Sequence, residues 1–342
     1  MRRIYADSSG LISFTKVLHT ESELSISPLA GVAGIRSEVG SRALDWIVEN
    51  LEQFDPFAPG HEPNEFHQTS LGELGLLCYL MRRGDAPTDN RVERCLEFLY
   101  SIYSSPAYHE MVFQLPQAFV GHLPIWLALR DRGIEKKVGR DVLVSLINQV
   151  SAFVLRYDPY RIIELSYLLQ LAGFNHSLPA DEEVFQKTVL GKATEGYLSE
   201  AQLYNVTHTV FYLTDFGLRS PGLFTERHYQ FAQSRLDLGM NLSVATQNWD
   251  LVGEIILAFR CLGFENEPAV ATGWRALRAA QEPSGMIGQS QSSGTPSVET
   301  PCLKDDEGFV TCYHRTLVAG LAGLIPCRQL EGGKDDQRQS ST

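Results

Sequence analysis

The sequence predicts an all-α fold of six helical hairpins closed into an (α/α)6 toroid, with an N-terminal helix closing the ring. Three observations predict it. An apolar helix ending in Gly recurs six times, a polar turn and an amphipathic second helix follow it, and the second helices number one too few. An unpaired amphipathic segment near the N-terminus supplies the missing one.

The apolar helices end near Gly84, Gly133, Gly173, Gly217, Gly263 and, more loosely, Gly323. A Gly just past a helical run adopts the left-handed conformation that ends a helix at low steric cost. Prolines 87, 179, 221 and 268 follow within a few residues, where the next helix starts. The glycines are 40 to 49 residues apart until a last interval of 60. That period suits a two-helix repeat. Ser70-x-x-Glu73 and Ser199-x-x-Gln202 read as capping boxes, Asp158-Pro159 as a helix start, and Asn248 as the cap of the fifth apolar helix.

The second helices are expected at 89–103, 139–154, 181–197, 224–238 and 266–280, each with one apolar stripe. The apolar helices lack a polar face, as elements covered on both sides must. Ser41 to Phe54 is amphipathic and has no mate of its own, so it is expected beside the sixth apolar helix. An open superhelix is the alternative. The domain reading is an N-terminal extension at 1–40, one domain at 41–330 with a flexible insert at 283–304, and a disordered tail at 331–342.

The chain's 342 residues exceed the usual single-domain range of roughly 100–200, which a closed repeat array can do because each repeat adds core. Acidic residues outnumber basic ones 41 to 29, and no Lys/Arg run exceeds a pair, so no nucleic-acid partner is expected. No apolar stretch approaches the ~20 residues that span a bilayer, and the N-terminus is not a secretory signal. The six cysteines show no framework spacing and read as reduced thiols of a cytoplasmic protein.

Counting back nine residues from each terminal Gly gives Gly75, Pro124, Glu164, His208, Glu254 and His314. Four consecutive apolar helices thus carry Glu, His, Glu and His at one level. Ionisable groups in such surroundings are costly unless paired, hydrogen-bonded or metal-bound. Two functional readings follow. In one, His208, Glu254 and His314, with Cys312 as a possible soft fourth ligand, hold zinc or iron and leave a position open. In the other, no metal is present and Glu/His pairs act as general acid and base. A third, bland reading ties neighbouring helices together through buried polar pairs. Asp215, seven residues after His208, shares its helix face and is a further catalytic candidate. His122 reads as a helix-start histidine ahead of Pro124, and Glu73 as a capping-box residue.

Thr207-His208-Thr209-Val210-Phe211-Tyr212-Leu213-Thr214-Asp215-Phe216-Gly217, together with Cys312-Tyr313-His314-Arg315-Thr316-Leu317-Val318, resembles a bacterial family of unassigned function found near biosynthetic genes. The architecture resembles the toroids of squalene-type terpene cyclases and protein prenyltransferases. Gln281-Glu282-Pro283-Ser284-Gly285-Met286-Ile287-Gly288 looks like a degenerate form of the Gln-and-Gly turn between their repeats. The cyclases' DxDD motif and the prenyltransferases' zinc set are absent. Of the lanthionine cyclases' zinc set only a Cys312/His314 fragment is present. Glu164 and Glu254 could supply the two carboxylates of an (α/α)6 glycosidase. The resemblance therefore implies a fold and no reaction.

The function expected is a small-molecule, natural-product biosynthetic enzyme taking an apolar or amphipathic substrate, with metal-dependent lyase, cyclase or hydrolase chemistry at Glu164, His208, Glu254, His314 and Asp215. The alternatives are a non-catalytic scaffold for a peptide or carrier protein and a metal-free acid/base cyclase or isomerase. The oligomeric state is left open.

Overall fold

A computed structural model describes residues 28–61, 63–83, 89–114, 119–132, 144, 147, 157–194, 196, 198–288 and 306–327. Among them are thirteen α-helices and no strand. The helices are α1 (Pro28–Glu49), α2 (Glu65–Met81), α3 (Asn90–Tyr103), α4 (Pro106–Gln114), α5 (Phe119–Leu129), α6 (Pro159–Ala172) and α7 (Asp181–Phe185). They continue as α8 (Val189–Lys192), α9 (Glu200–Leu213), α10 (Glu226–Ala245), α11 (Trp249–Cys261), α12 (Pro268–Ala280) and α13 (Asp306–Leu324). No helix among the described residues is long and apolar enough to cross a membrane.

Two kinds of helix separate by burial. In α11 every residue from Leu251 to Cys261 is buried, whereas α3 buries Val92, Cys95, Leu96, Leu99 and Ile102, a stripe at helical spacing, plus Tyr103. The all-round apolar helices pack in sequence: α2 on α5, α5 on α6, α6 on α9, α9 on α11, α11 on α13, and α13 back on α2. The amphipathic ones cover them. α1 lies on α13, α12 and α3, α3 on α2 and α5, α7 on α6, α8 on α9 and α10, and α10 on α11 and α12.

Glycines set the closest of these contacts. A Cβ on Gly72 would stand 2.6 Å from Gly121 Cα, so α2 and α5 meet backbone to backbone. A Cβ on Gly323 would stand 2.6 Å from Gly40 Cα, at the seam of α1 and α13. Gly323 makes this contact from the last turn of α13, which ends at Leu324, near the expected stop, but without the left-handed φ of a terminating glycine. Gly173, Gly217 and Gly263 do follow helix ends with φ of 70°, 82° and 80°. Gly84 and Gly133 lie outside the described residues.

Start signals are partly as read. Ser199 and Gln202 form a capping box, and Asn248 caps α11 by accepting from Leu251 N–H. Asp158 precedes Pro159 at the start of α6 but makes no side-chain cap bond. Ser70-x-x-Glu73 is not a cap, because α2 begins earlier, with Asn64 accepting from His67 N–H. The single helix expected at 181–197 is instead the short pair α7 and α8. Thr188 Oγ donates to the Phe185 carbonyl and accepts from Gly191 N–H, a local alternative to continued helix. Helix α10 runs on past 238 to Ala245. Helix α1 begins at Pro28, inside the segment read as an extension. Of the helix expected at 139–154 only residues 144 and 147 are described, and both are helical. The insert is described only to Gly288, where Gln281 bridges Ile287 and donates to the carbonyls of Val39 and Gly285. The rest of it and the tail lie outside the described residues. Five described cysteines form no disulfide.

His122 is the fourth residue of α5, at the helix start as expected, buried against the rings of Tyr103 and Tyr108 at 5.6 and 5.5 Å, with Nδ1 2.8 Å from Tyr108 hydroxyl. Its Nε2 is buried without a partner. Burial, with His109 nearby, depresses the imidazole from 6.5 to about 3.

Two stability predictions follow from this packing. Gly323→Val should destabilise by about 1–3 kcal/mol or more through overpacking at Gly40, read as a lower urea midpoint; an unchanged midpoint contradicts the close seam. Because folded His122 resists protonation, the unfolded chain alone takes up its proton below pH 6.5, so stability falls as pH drops towards about 3. That contribution has a slope of about 1.4 kcal/mol per pH unit, and His122→Gln should remove it from the pH dependence of unfolding.

Candidate metal centre in the cavity

One cavity of about 1070 Å³ is lined by all six apolar helices. Their contributions repeat every three or four residues, as a single helix face must: Thr69, Glu73 and Leu76 on α2, Tyr204, His208 and Phe211 on α9, His314, Leu317 and Leu321 on α13. Glu164, His208, Glu254 and His314 all line it, as the register predicts.

Their partners divide them. Glu164 is a satisfied anion: Oε1 accepts from Tyr212 hydroxyl at 2.7 Å and Oε2 from Arg161 at 2.8 Å. Burial opposes its ionisation, but the Arg161 charge and these bonds hold the carboxyl below its ordinary range. His208 donates Nδ1–H to the Tyr204 carbonyl at 2.9 Å, which fixes the ring; its Nε2 has no partner among the described residues. The same Nδ1 lies 3.4 Å from Glu254 Oε2.

His314 is the centre of the other group. Nδ1 meets Glu73 Oε2 at 2.9 Å, while Nε2 faces Asp250 Oδ1 at 3.2 Å and Glu254 Oε1 at 3.9 Å. Burial disfavours the charged ring, but Glu73, Glu254 and Asp250 together raise it well above an ordinary imidazole. Burial likewise pushes Asp250 up, against the pull of His314. For Glu254, burial is outweighed by His208, His314 and Thr207, and its carboxyl is held down.

The outer atom of each of the three groups is held from behind. Tyr204 hydroxyl donates to Asp250 Oδ2 at 2.6 Å, Thr207 hydroxyl to Glu254 Oε2 at 2.6 Å, and Glu73 engages His314 Nδ1. Asp250, Glu254 and His314 each offer one ligand atom within 4.8 Å of the others, and Asp250 Oδ1 and Glu254 Oε1 are the oxygens that face His314 Nε2. A small divalent ion with bonds of 2.0–2.2 Å sets its adjacent ligand atoms about 3.0–3.5 Å apart. Asp250 Oδ1 is also buried and accepts no hydrogen bond, although it is close to His314. Its neighbour is the His314 ring, 3.2 Å away at Nε2, so a cation bound by these groups would take the place of that ring's Nε2 proton.

Four expected residues fall outside this group: Glu164 and His208 line the cavity without joining it, and Asp215 and Cys312 are not on the cavity wall. Asp215 sits in the turn after α9, at φ 53°, paired with Arg83 at 2.5 and 2.7 Å and accepting from Tyr167 hydroxyl at 2.7 Å. Cys312 is buried off the cavity wall with its thiol turned back to the Gly308 carbonyl. Conversely, Asp250 and Glu73 belong to the group but were not read as such. The available signal was the Asp250/Glu254 pair, four apart on a helix with no other acid, which puts both on one face.

No curated protein matches the sequence. The model of one family, described as a domain of unknown function (DUF6895), matches residues 40–324, and the chain belongs to that family.

Proposed function

We propose that the chain is an (α/α)6 toroid enclosing a metal-dependent active site, and that it acts on a small amphipathic molecule held in the cavity. The return of helix contacts from α13 to α2, and a cavity shared by six helices, support the toroid. The observation that carries the function is the convergence of Asp250 Oδ1, Glu254 Oε1 and His314 Nε2, each backed by its own partner.

One His and two carboxylates suit zinc, manganese or iron(II). Glu73–His314 has the form of the carboxylate that orients a metal-binding imidazole. Such an ion would supply Lewis acidity or an activated water at the cavity wall. His208, fixed through Nδ1 and unpartnered at Nε2, is placed to accept or donate a proton next to Glu254. Polar chemistry at one level above an apolar floor of Leu76, Phe216, Leu257 and Leu321 suits a substrate with a reactive polar part and an apolar body. Lyase, cyclase or hydrolase chemistry in natural-product biosynthesis is consistent with that shape, and a cytoplasmic setting with unlinked thiols. A scaffold without catalysis would be better served by a filled axis.

Metal analysis of purified protein after loading with zinc, manganese or iron(II) tests this reading. A stoichiometric ion is expected, lost in His314→Ala and Glu254→Gln and bound about 10–100-fold more weakly in Glu73→Gln, with helical content unchanged. No bound ion, or full binding by His314→Ala, would overturn it and leave the metal-free acid/base alternative.

A further inference from the structure

Among the described residues that line the cavity, Arg161 is the single Lys or Arg. Its environment is unusual for a surface arginine. Nη1 donates to Glu164 Oε2 at 2.8 Å, the guanidinium lies over the Tyr160 ring at 5.0 Å, and the side chain still keeps 47% exposure. The Tyr160 hydroxyl is a further hydrogen-bond neighbour of the same side chain. A guanidinium carries five donors in a planar fork, so most of them remain open.

Glu164 explains how Arg161 is held. That carboxylate is buried and takes Tyr212 hydroxyl on its other oxygen, so it anchors one edge of the guanidinium without enclosing it. The level residue read as catalytic is on this view a positioning residue. The other acids leave Arg161 little competition. Glu73 and Glu254 are engaged by His314 and Thr207, while Glu65 and Asp158 are exposed at helix starts. The start of α6, five residues before Glu164 and in the turn that carries Arg161, adds the positive end of a helix dipole.

We propose that Arg161 is the oxyanion-recognition residue of the cavity, and that the ligand is an amphiphile with a carboxylate or phosphate head and an apolar body. The head forms charge-assisted, bidentate hydrogen bonds to the open edge of the guanidinium. The body lies along Phe211 and Phe216 towards Leu257 and Leu321. Arg161 is on α6, which packs between α5 and α9, whereas His314 and Glu254 are on α13 and α11. A ligand anchored at Arg161 therefore holds its anionic head apart from those residues. The inference rests on the cavity being a substrate site but not on the metal.

Isothermal titration with decanoate, decyl phosphate, decanol and decyltrimethylammonium separates the possibilities. Wild-type protein should bind one or both of the anionic amphiphiles at least about tenfold tighter than decanol. Arg161→Met should remove that preference while leaving decanol unchanged, and Arg161→Lys should keep part of it. Glu164→Gln should weaken the preference through the loosened guanidinium. Equal affinity for decanol, tightest binding of the ammonium, retention of the preference in Arg161→Met, or no binding of any of the four would overturn the proposal. The same titrations on chelator-stripped and metal-loaded protein, with metal content measured on each sample, keep the two readings apart. Loss of the metal centre with the anion preference intact would defeat only the metal.

Discussion

Everything at the cavity wall depends on the compensation of His314 between three carboxylates. Removing one partner from a buried ion pair costs about 3–5 kcal/mol, because it strands the other charge. Glu254 would be an expensive burial alone, while Glu73 and Asp250, half-buried, bear a smaller part of that cost. Arranged around one imidazole they become mutually dependent, and they tie α2, α11 and α13 together at a single level. The same contacts that pin α13 between its neighbours also aim three ligand atoms at one point. Tyr204 and Thr207 on α9 extend the network to the next helix by holding the outer oxygens.

The far ends of these helices are fixed by a separate set of charges. Arg83, at the end of α2, pairs with Asp215 after α9, and Tyr167 on α6 joins the same carboxylate. Arg260, buried near the end of α11, donates to the carbonyls of Ala322 and Ile325 at the end of α13, where a cation also suits the helix dipole. Helix ends clamped by charge and helix middles joined by apolar and glycine contacts surround a cavity whose wall is polar at one level and apolar beyond it. Rigidity at both levels is what a metal or an oriented arginine requires of its supports.

Much of this was legible in the sequence, and for a physical reason. Apolar helices of similar length that start at one level put equivalent positions at one height, so counting from the terminal glycines found Glu164, His208, Glu254 and His314. One of those counts succeeded on a different footing. Gly323 lies in the last turn of α13 as a close contact with Gly40, near the helix end but without the left-handed φ of a terminating glycine. Asp250 was overlooked because an acid in a first turn is ordinarily explained by the helix dipole. Glu73 was absorbed into a Ser-x-x-Glu pattern that marks a cap only when it falls at a helix start. Pairing across helices has no local signature, so the bond of Glu73 to a histidine 241 positions away could not be read from either segment. The break between α7 and α8 was hidden for the converse reason: a threonine hydroxyl that competes with the helix looks like any polar residue on an exposed face.

X-ray absorption at the metal edge of zinc-loaded protein tests the proposed centre most directly. Ligation by Asp250, Glu254 and His314 predicts a shell of oxygen and nitrogen with a single imidazole and no sulfur. A sulfur shell, which would bring in Cys312, or a second imidazole, which would bring in His208, would contradict it.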